Sequence, residues 1–161
     1  VEAAVEELEV LQETIENSSE VDNALKALDK NDDPELWLDE THVDSQQGHK
    51  VFDNVDSAVR DLTKLLKKPK DLTEEEIASV EQVVAALVAA SLSIAQTAID
   101  EVPDPATVAP KLQKRVADEL ARAEEAMTKG LSELDKGNTD KALDHFKKAW
   151  EHAIKAAELA N

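Results

Sequence analysis

The residues best suited to bind a ligand lie between positions 29 and 53, where acidic, amide and imidazole side chains are concentrated. Interpreted as a calcium loop, the stretch 29–40 has oxygen-bearing side chains at the first, third, fifth and last positions. These candidate ligands are Asp29, Asn31, Asp33 and Glu40. The sixth position should be glycine, because a calcium loop turns sharply there, but this chain has Pro34, whose φ is locked near about −65°. The alternative is structural: a helix ends, the chain turns, and Asp33 caps the next helix.

Two histidines of the same segment suggest a transition-metal site. His42 and His49 share the segment with four carboxylates: Asp39, Glu40, Asp44 and Asp53. Imidazole and carboxylate groups suit zinc and similar ions, provided that three or four of them converge on one point. An irregular segment allows such convergence without requiring it. The alternative is that both histidines are exposed to solvent or cap turns.

The other two histidines, His145 and His152, are two helical turns apart, or ~10 Å. One ion cannot bridge that distance without a partner helix, so we expect both side chains to lie on the surface.

Nothing else in the sequence indicates catalysis. The chain has no cysteine, which excludes disulfides, thiolate metal sites and thiol nucleophiles. It has no glycine-rich phosphate loop, nucleophile elbow or zincin motif. Paired carboxylates are uninformative in a chain with 36 acidic residues. Ser91 and Ser93 fall in an apolar helix, where a hydroxyl usually donates to a backbone carbonyl. We therefore expect no enzyme activity and no cofactor. The alternative is that residues 29–53 bind calcium or a transition metal.

The formal net charge is −18, and it is unevenly distributed. Residues 1–63 carry 18 acidic and 4 basic residues, a net of −14, which leaves −4 for residues 64–161. Such a chain repels nucleic-acid phosphates and anionic membrane surfaces, so we expect neither as a partner. The acidic half could attract cations or a basic partner, although a simply solvated surface explains it as well.

The elements that must position these residues are helical. Only 3 glycines, 5 prolines and 2% aromatic residues are present, and apolar residues recur at steps of three and four. This pattern predicts helices over residues 50–67, 73–101, 106–136 and 139–160, and one kinked or two short helices in residues 1–30. We expect an all-α antiparallel bundle of four long helices with an additional N-terminal helical segment. Residues 1–161 should form a single domain, with 31–49 as its irregular acidic part.

The helix over residues 73–101 has two marked features. Thr73 and Glu76 form a capping-box pattern, and residues 83–95 read VVAALVAASLSIA, apolar nearly all round. A membrane span needs ~20 such residues, so we predict no membrane insertion. Instead this should be a central, most-buried helix surrounded by the others. Its inward side chains should be Val84, Leu87, Val88 and Leu92.

The last two helices resemble a tetratricopeptide-type pair. Residues 137–149, GNTDKALDHFKKA, follow that repeat's turn and second helix, and Gly130 falls where its first helix has a small residue. The aromatic residue and leucine expected earlier are missing, and a solenoid needs about three units. The resemblance therefore implies close packing of two helices. It does not imply a peptide groove.

More broadly, the chain is similar over about residues 40–160 to helical segments of secreted or cell-surface bacterial and archaeal proteins. The similarity rests on GHKVFD (48–53), AVRDL (58–62), AQTAID (95–100) and the final helix pair. It implies a non-catalytic structural or interaction module of an exported protein, located outside the cell or on its surface. The partner would be another protein or neighbouring domains of the same polypeptide.

Overall fold

Helices account for 82% of the residues that the computed structural model describes, which are 2–15, 18–39, 41–68 and 72–160. No β-strand occurs in these residues, so the all-α prediction is confirmed. Six α-helices follow one another along the chain: α1 (Glu2–Thr14), α2 (Ser19–Leu28), α3 (His49–Leu66), α4 (Glu74–Asp100), α5 (Pro110–Asp135) and α6 (Thr139–Ala160).

The helix ends follow local capping chemistry. The N-terminal segment forms two helices, and α2 is capped by Ser18, whose hydroxyl accepts a 3.3 Å hydrogen bond from the Val21 amide. The capping box of α4 is confirmed: the Glu76 amide donates to Thr73 Oγ1 at 3.2 Å, and the Thr73 amide donates to Glu76 Oε2 at 2.7 Å. Gly137 ends α5 with a φ of 75°. Pro69, a residue type that typically ends a helix, follows α3 but lies outside the described residues.

The core lies around α6, which packs against α3, α4 and α5, while α2 packs on α3 and α1 on α4. Phe146 and Trp150 of α6 are both buried there among aliphatic side chains from every helix. A smaller apolar cluster, built on Val108, Val116 and Ala156, lies towards the N-terminal end of α5. The C-terminal helix is thus the element around which the others are arranged.

The prediction that α4 is surrounded by other helices is wrong. Leu87 and Val88 are buried as expected, but Val84 and Leu92 are only partly buried. One face of α4 is exposed along several turns: Ala85, Ala86, Ala89 and Ser93. Neighbouring helices cover the other side only, and alanine exposes little apolar area, so this apolar-looking helix can lie at the surface.

By length and composition, the stretch Glu74–Thr107 could also cross a membrane: it contains an 18-residue window with a mean hydropathy of 1.8, of which 28% is buried. The apolar stretch is therefore longer than residues 83–95. Length and composition do not distinguish a membrane-crossing helix from one that packs against other helices. The absence of membrane insertion remains a prediction.

The two last helices approach closely at Gly130. A Cβ atom there would lie 2.5 Å from Phe146 Cε1, closer than side chains tolerate. The buried stripe of α5 runs through Ala126 and Gly130, so the adjacent Leu131 is 44% exposed. The helices pack through small residues, which a pattern of large apolar residues does not reveal.

Candidate functional site

The irregular segment folds as a tight loop over residues 37–48, of which residue 40 lies outside the described part of the chain. Trp37 and Val43 face each other in an isolated antiparallel bridge. The Leu38 amide donates to the His42 carbonyl at 2.7 Å, which closes the loop. Asp44 then accepts the backbone amides of the next turn, at 2.9 Å from Gln46. We call this segment the 37–48 loop.

The 37–48 loop is seated against α6 through Gly48. A Cβ atom at this position would lie 2.7 Å from Trp150 Cζ2 and 2.7 Å from Val43 Cγ2. Its φ of −59° is one that any residue adopts, so glycine is required here for space alone. The Trp150 ring is itself fixed against Phe52 of α3, with 5.6 Å between ring centroids. The loop, α3 and α6 therefore meet at one packed point.

His42 attaches the other side of the loop to α4. Its Nδ1 lies 2.7 Å from Asp39 Oδ2, and its Nε2 lies 2.6 Å from Glu101 Oε1, just beyond the end of α4. Hydrogen bonds to Asp39 and then Glu101 raise the pKa of His42. The pKa of Asp39 is held well below its ordinary value, chiefly by the Thr41 amide and then by His42. When it is protonated, the imidazole donates to two carboxylates from different elements.

A cavity of about 100 Å³ lies between the 37–48 loop, the last turns of α4, and α6. Its wall is largely apolar, with contributions from Ile94, Ala98, Trp150 and Ile154. The polar groups of His42 and Glu101 also line it, and Leu38 stands at its edge with 70% of its surface exposed.

A second cavity, of about 290 Å³, adjoins the first. The two share three lining residues: Ser45, Trp150 and Ile154. The second is the more polar, because His49, Lys155 and Glu158 contribute to its wall. We call these two neighbouring cavities together the loop groove.

The structure places the calcium-loop residues in structural roles. Asp29 opens a 3₁₀ turn, Asp29–Asp32, that continues α2. Asp33 caps the next turn, accepting the Glu35 amide at 3.0 Å, as the structural alternative predicted. Asn31 is 4% exposed and accepts the Asn54 amide at 2.7 Å. The fourth candidate, Glu40, lies outside the described residues.

Of the residues considered for a transition-metal site, the structure brings His42 and Asp39 together at 2.7 Å. His42 lines the smaller cavity and is held by carboxylates on both sides, whereas His49 begins α3 and lines the larger one. Within the described residues, no three histidine, aspartate or glutamate side chains are grouped as metal ligands would be. Whether the 29–53 segment binds an ion therefore stays a prediction.

Sequence reasoning missed a buried carboxylate between the last two helices. Glu119 is 6% exposed, and its carboxylate accepts from Lys155 at 2.7 Å, His152 at 2.8 Å and Arg122 at 3.0 Å. The Lys155 hydrogen bond is the main reason that the pKa of Glu119 is lowered. His152, expected simply on the surface, is partly buried and paired. Glu119 follows Val116 by three residues within the apolar stripe, and that position was the available signal.

Comparison of the chain with protein-family models, curated proteins and solved structures gives no match. Function must therefore be argued from the geometry of the loop groove and the charges around it.

Proposed function

We propose that this chain is a non-catalytic helical module that binds another protein, or a neighbouring domain of its own polypeptide, through the loop groove. The main support for this proposal is the exposure of Leu38, a large apolar side chain that is 70% exposed at the edge of a cavity with a largely apolar wall. Exposed apolar surface beside a concave apolar site favours association, because both surfaces lose contact with water when a partner covers them.

The scaffold suits such a role. The loop groove is formed by a loop packed on α6 and attached to α4, and α6 is joined to α5 by the Glu119 ion pairs. We propose that α3 to α6 form an antiparallel four-helix bundle, with α1 and α2 as the N-terminal addition and a tetratricopeptide-like α5–α6 pair. Binding sites on rigid elements lose less conformational entropy when a partner binds.

We further propose that the module belongs to an exported or cell-surface protein. The proposal rests on the resemblance inferred from the sequence over residues 40–160, to which no matched family or protein adds support. Protease treatment of intact producing cells tests the location: the chain should be cleaved without lysis. A chain that is protected until the cells are lysed would contradict export.

Site-specific photo-crosslinking tests the interaction role. A photoreactive amino acid replaces Leu38 in the producing cells, and crosslinked proteins are identified by mass spectrometry. Val10 and Leu131, the other large apolar residues that are exposed in the described chain, provide matched controls on α1 and α5. The proposal expects a defined partner from position 38 and none from the controls. No crosslink at 38, or equal crosslinking at all three positions, would contradict it.

A further inference from the structure

We propose that the loop groove binds a basic peptide segment that inserts one aliphatic side chain into the smaller cavity. This inference rests on the proposed function and adds the chemistry of the partner. The occupant is a Lys- or Arg-rich segment of another protein with a leucine-like residue between its cations.

The smaller cavity sets the size of the inserted group. A cavity of ~150 Å³ lined by apolar side chains holds a benzene molecule, so about 100 Å³ suits a single aliphatic side chain. Ile94, Ala98 and Ile154 supply an apolar wall for it, and the exposed Leu38 would be covered at the same time. Transfer of that apolar surface out of water provides the attraction.

The charges around the loop groove select the flanking residues. Glu101 and Asp39 lie beside the smaller cavity, each more than half exposed, and share one partner, His42. Two further exposed carboxylates, Glu151 and Glu158, line the larger cavity. The one lysine of the lining, Lys155, is already paired with Glu119 at 2.7 Å. The remaining acidic surroundings, in a chain of net charge −18, favour lysine or arginine on either side of the inserted side chain.

The same charges disfavour a second copy of this chain as the occupant. Two copies would bring acidic surfaces together, which costs free energy at ordinary ionic strength. A partner that supplies cations relieves the repulsion among the carboxylates around the loop groove. The basic segment is thus the occupant that both the cavity and the charges favour.

Three capped peptides test this inference by NMR titration against the whole chain. The first has one leucine between two pairs of lysines, the second has serine for leucine, and the third has glutamates for the lysines. The first should shift the methyl signals of Ile94 and Ile154 and the indole signal of Trp150, all of which line the loop groove. The other two peptides should bind at least about tenfold more weakly, because each lacks one source of attraction.

Matched variants separate the loop groove from general attraction to an acidic protein. Ala98→Leu fills the smaller cavity and should weaken binding at least tenfold, whereas Ala89→Leu, the same change on the exposed face of α4, should not. Glu101→Gln should weaken binding several-fold more than Glu81→Gln. The second change removes the same charge from an exposed site in α4, away from the loop groove. The peptide series on the unsubstituted chain decides the question if a variant does not fold.

Four outcomes would overturn the inference. These are no binding at millimolar peptide, equal binding of the glutamate peptide, shifts confined to residues outside the loop groove, and concentration-dependent shifts of the groove methyls without peptide. The last would show a second copy as the occupant. If the peptides fail while position 38 still crosslinks to a defined partner, the partner chemistry is wrong and the interaction role stands.

Discussion

At the scale of single residues, His42, a candidate metal ligand, instead links two parts of the fold through its hydrogen bonds. Both ring nitrogens of His42 face carboxylates, 2.7 Å from Asp39 and 2.6 Å from Glu101. An imidazole can donate from both nitrogens only when it is protonated. The attachment of the 37–48 loop to α4 is therefore linked to pH.

The raised pKa of His42 gives a prediction with a definite sign. Its contribution to stability is fully present below the ordinary value of 6.5 and is lost as the pH rises through the raised pKa. An NMR titration of the His42 ring protons should give a midpoint above 6.5. Asp39→Asn should lower this midpoint more than Glu101→Gln, because the Asp39 bond is the larger cause, and the remote Glu75→Gln should leave it unchanged. A midpoint at or below 6.5 would show that the two contacts do not persist in solution.

Glu119→Gln should destabilise the native state by about 1–3 kcal/mol, because a buried carboxylate that accepts hydrogen bonds from Lys155, Arg122 and His152 becomes neutral. Larger losses are not expected, since Lys155 and Arg122 are more than half exposed and can be hydrated. The matched change Glu125→Gln removes an exposed pair with Lys129 and should cost clearly less, because solvent screens an exposed ion pair. Urea titration measures both. Equal effects would mean that burial of Glu119 contributes nothing.

The pH dependence of the Glu119 effect follows from its lowered pKa. The stabilisation is present above the ordinary value of 4.5 and is lost as the pH falls through the lowered value. The difference between Glu119→Gln and the unsubstituted chain should therefore shrink in acid.

Single-residue roles were predictable where both partners are close in sequence. Asp33 caps the turn that begins at Pro34, and Thr73 pairs with Glu76, as their spacing indicates. Glu119 and His152 lie 33 residues apart, and their contact depends on how α5 and α6 are aligned. No local pattern specifies that alignment.

At the scale of elements, helix propensity and packing have opposite effects at Gly130. In an exposed helix, replacing glycine by alanine increases helix stability by ~1 kcal/mol. At this site, however, the alanine Cβ would lie 2.5 Å from Phe146 Cε1. We expect Gly130→Ala to destabilise the protein by about 1–3 kcal/mol, because α5 and α6 must separate. Adding Phe146→Leu should make the alanine less costly in a double-mutant cycle followed by thermal unfolding. A stabilising Gly130→Ala would contradict this packing.

The positions of the helices could be predicted from apolar periodicity and capping residues. Which faces of each helix are covered by neighbours could not. The apolar run in α4 indicated a helix that is covered on all sides, yet Ala85, Ala86 and Ala89 face outwards. Small side chains are compatible with either environment, so composition cannot report how many neighbours a helix has. The 37–48 loop could not be foreseen, because its position depends on the space that Gly48 leaves for Trp150.

At the scale of the whole molecule, charge decides how the chain responds to ions. The first 63 residues carry a net charge of −14, and the described residues show no grouped metal ligands. We therefore expect calcium or zinc to raise the melting temperature only as much as magnesium does, by screening this charge.

The comparison is run with chelator, with sodium chloride at matched ionic strength, and with magnesium. A specific site would stabilise the native state by mass action, beyond both salts. It would then be lost on replacing Asp33 and Glu40, or His42 and His49. A rise of several degrees beyond both salts that these substitutions abolish would replace the screening explanation with a metal site in residues 29–53.

The loop groove exists only if the 37–48 loop is seated on α6, and NMR distance contacts measure this directly. The α protons of Gly48 should show strong nuclear Overhauser effects to the Trp150 ring proton at Cζ2 and to the Val43 methyl at Cγ2. Contacts between Gly130 and the Phe146 ring serve as the internal control for the helix pair. If the Gly48 contacts are absent while those of Gly130 are present, the loop is not docked and the proposed binding site does not exist.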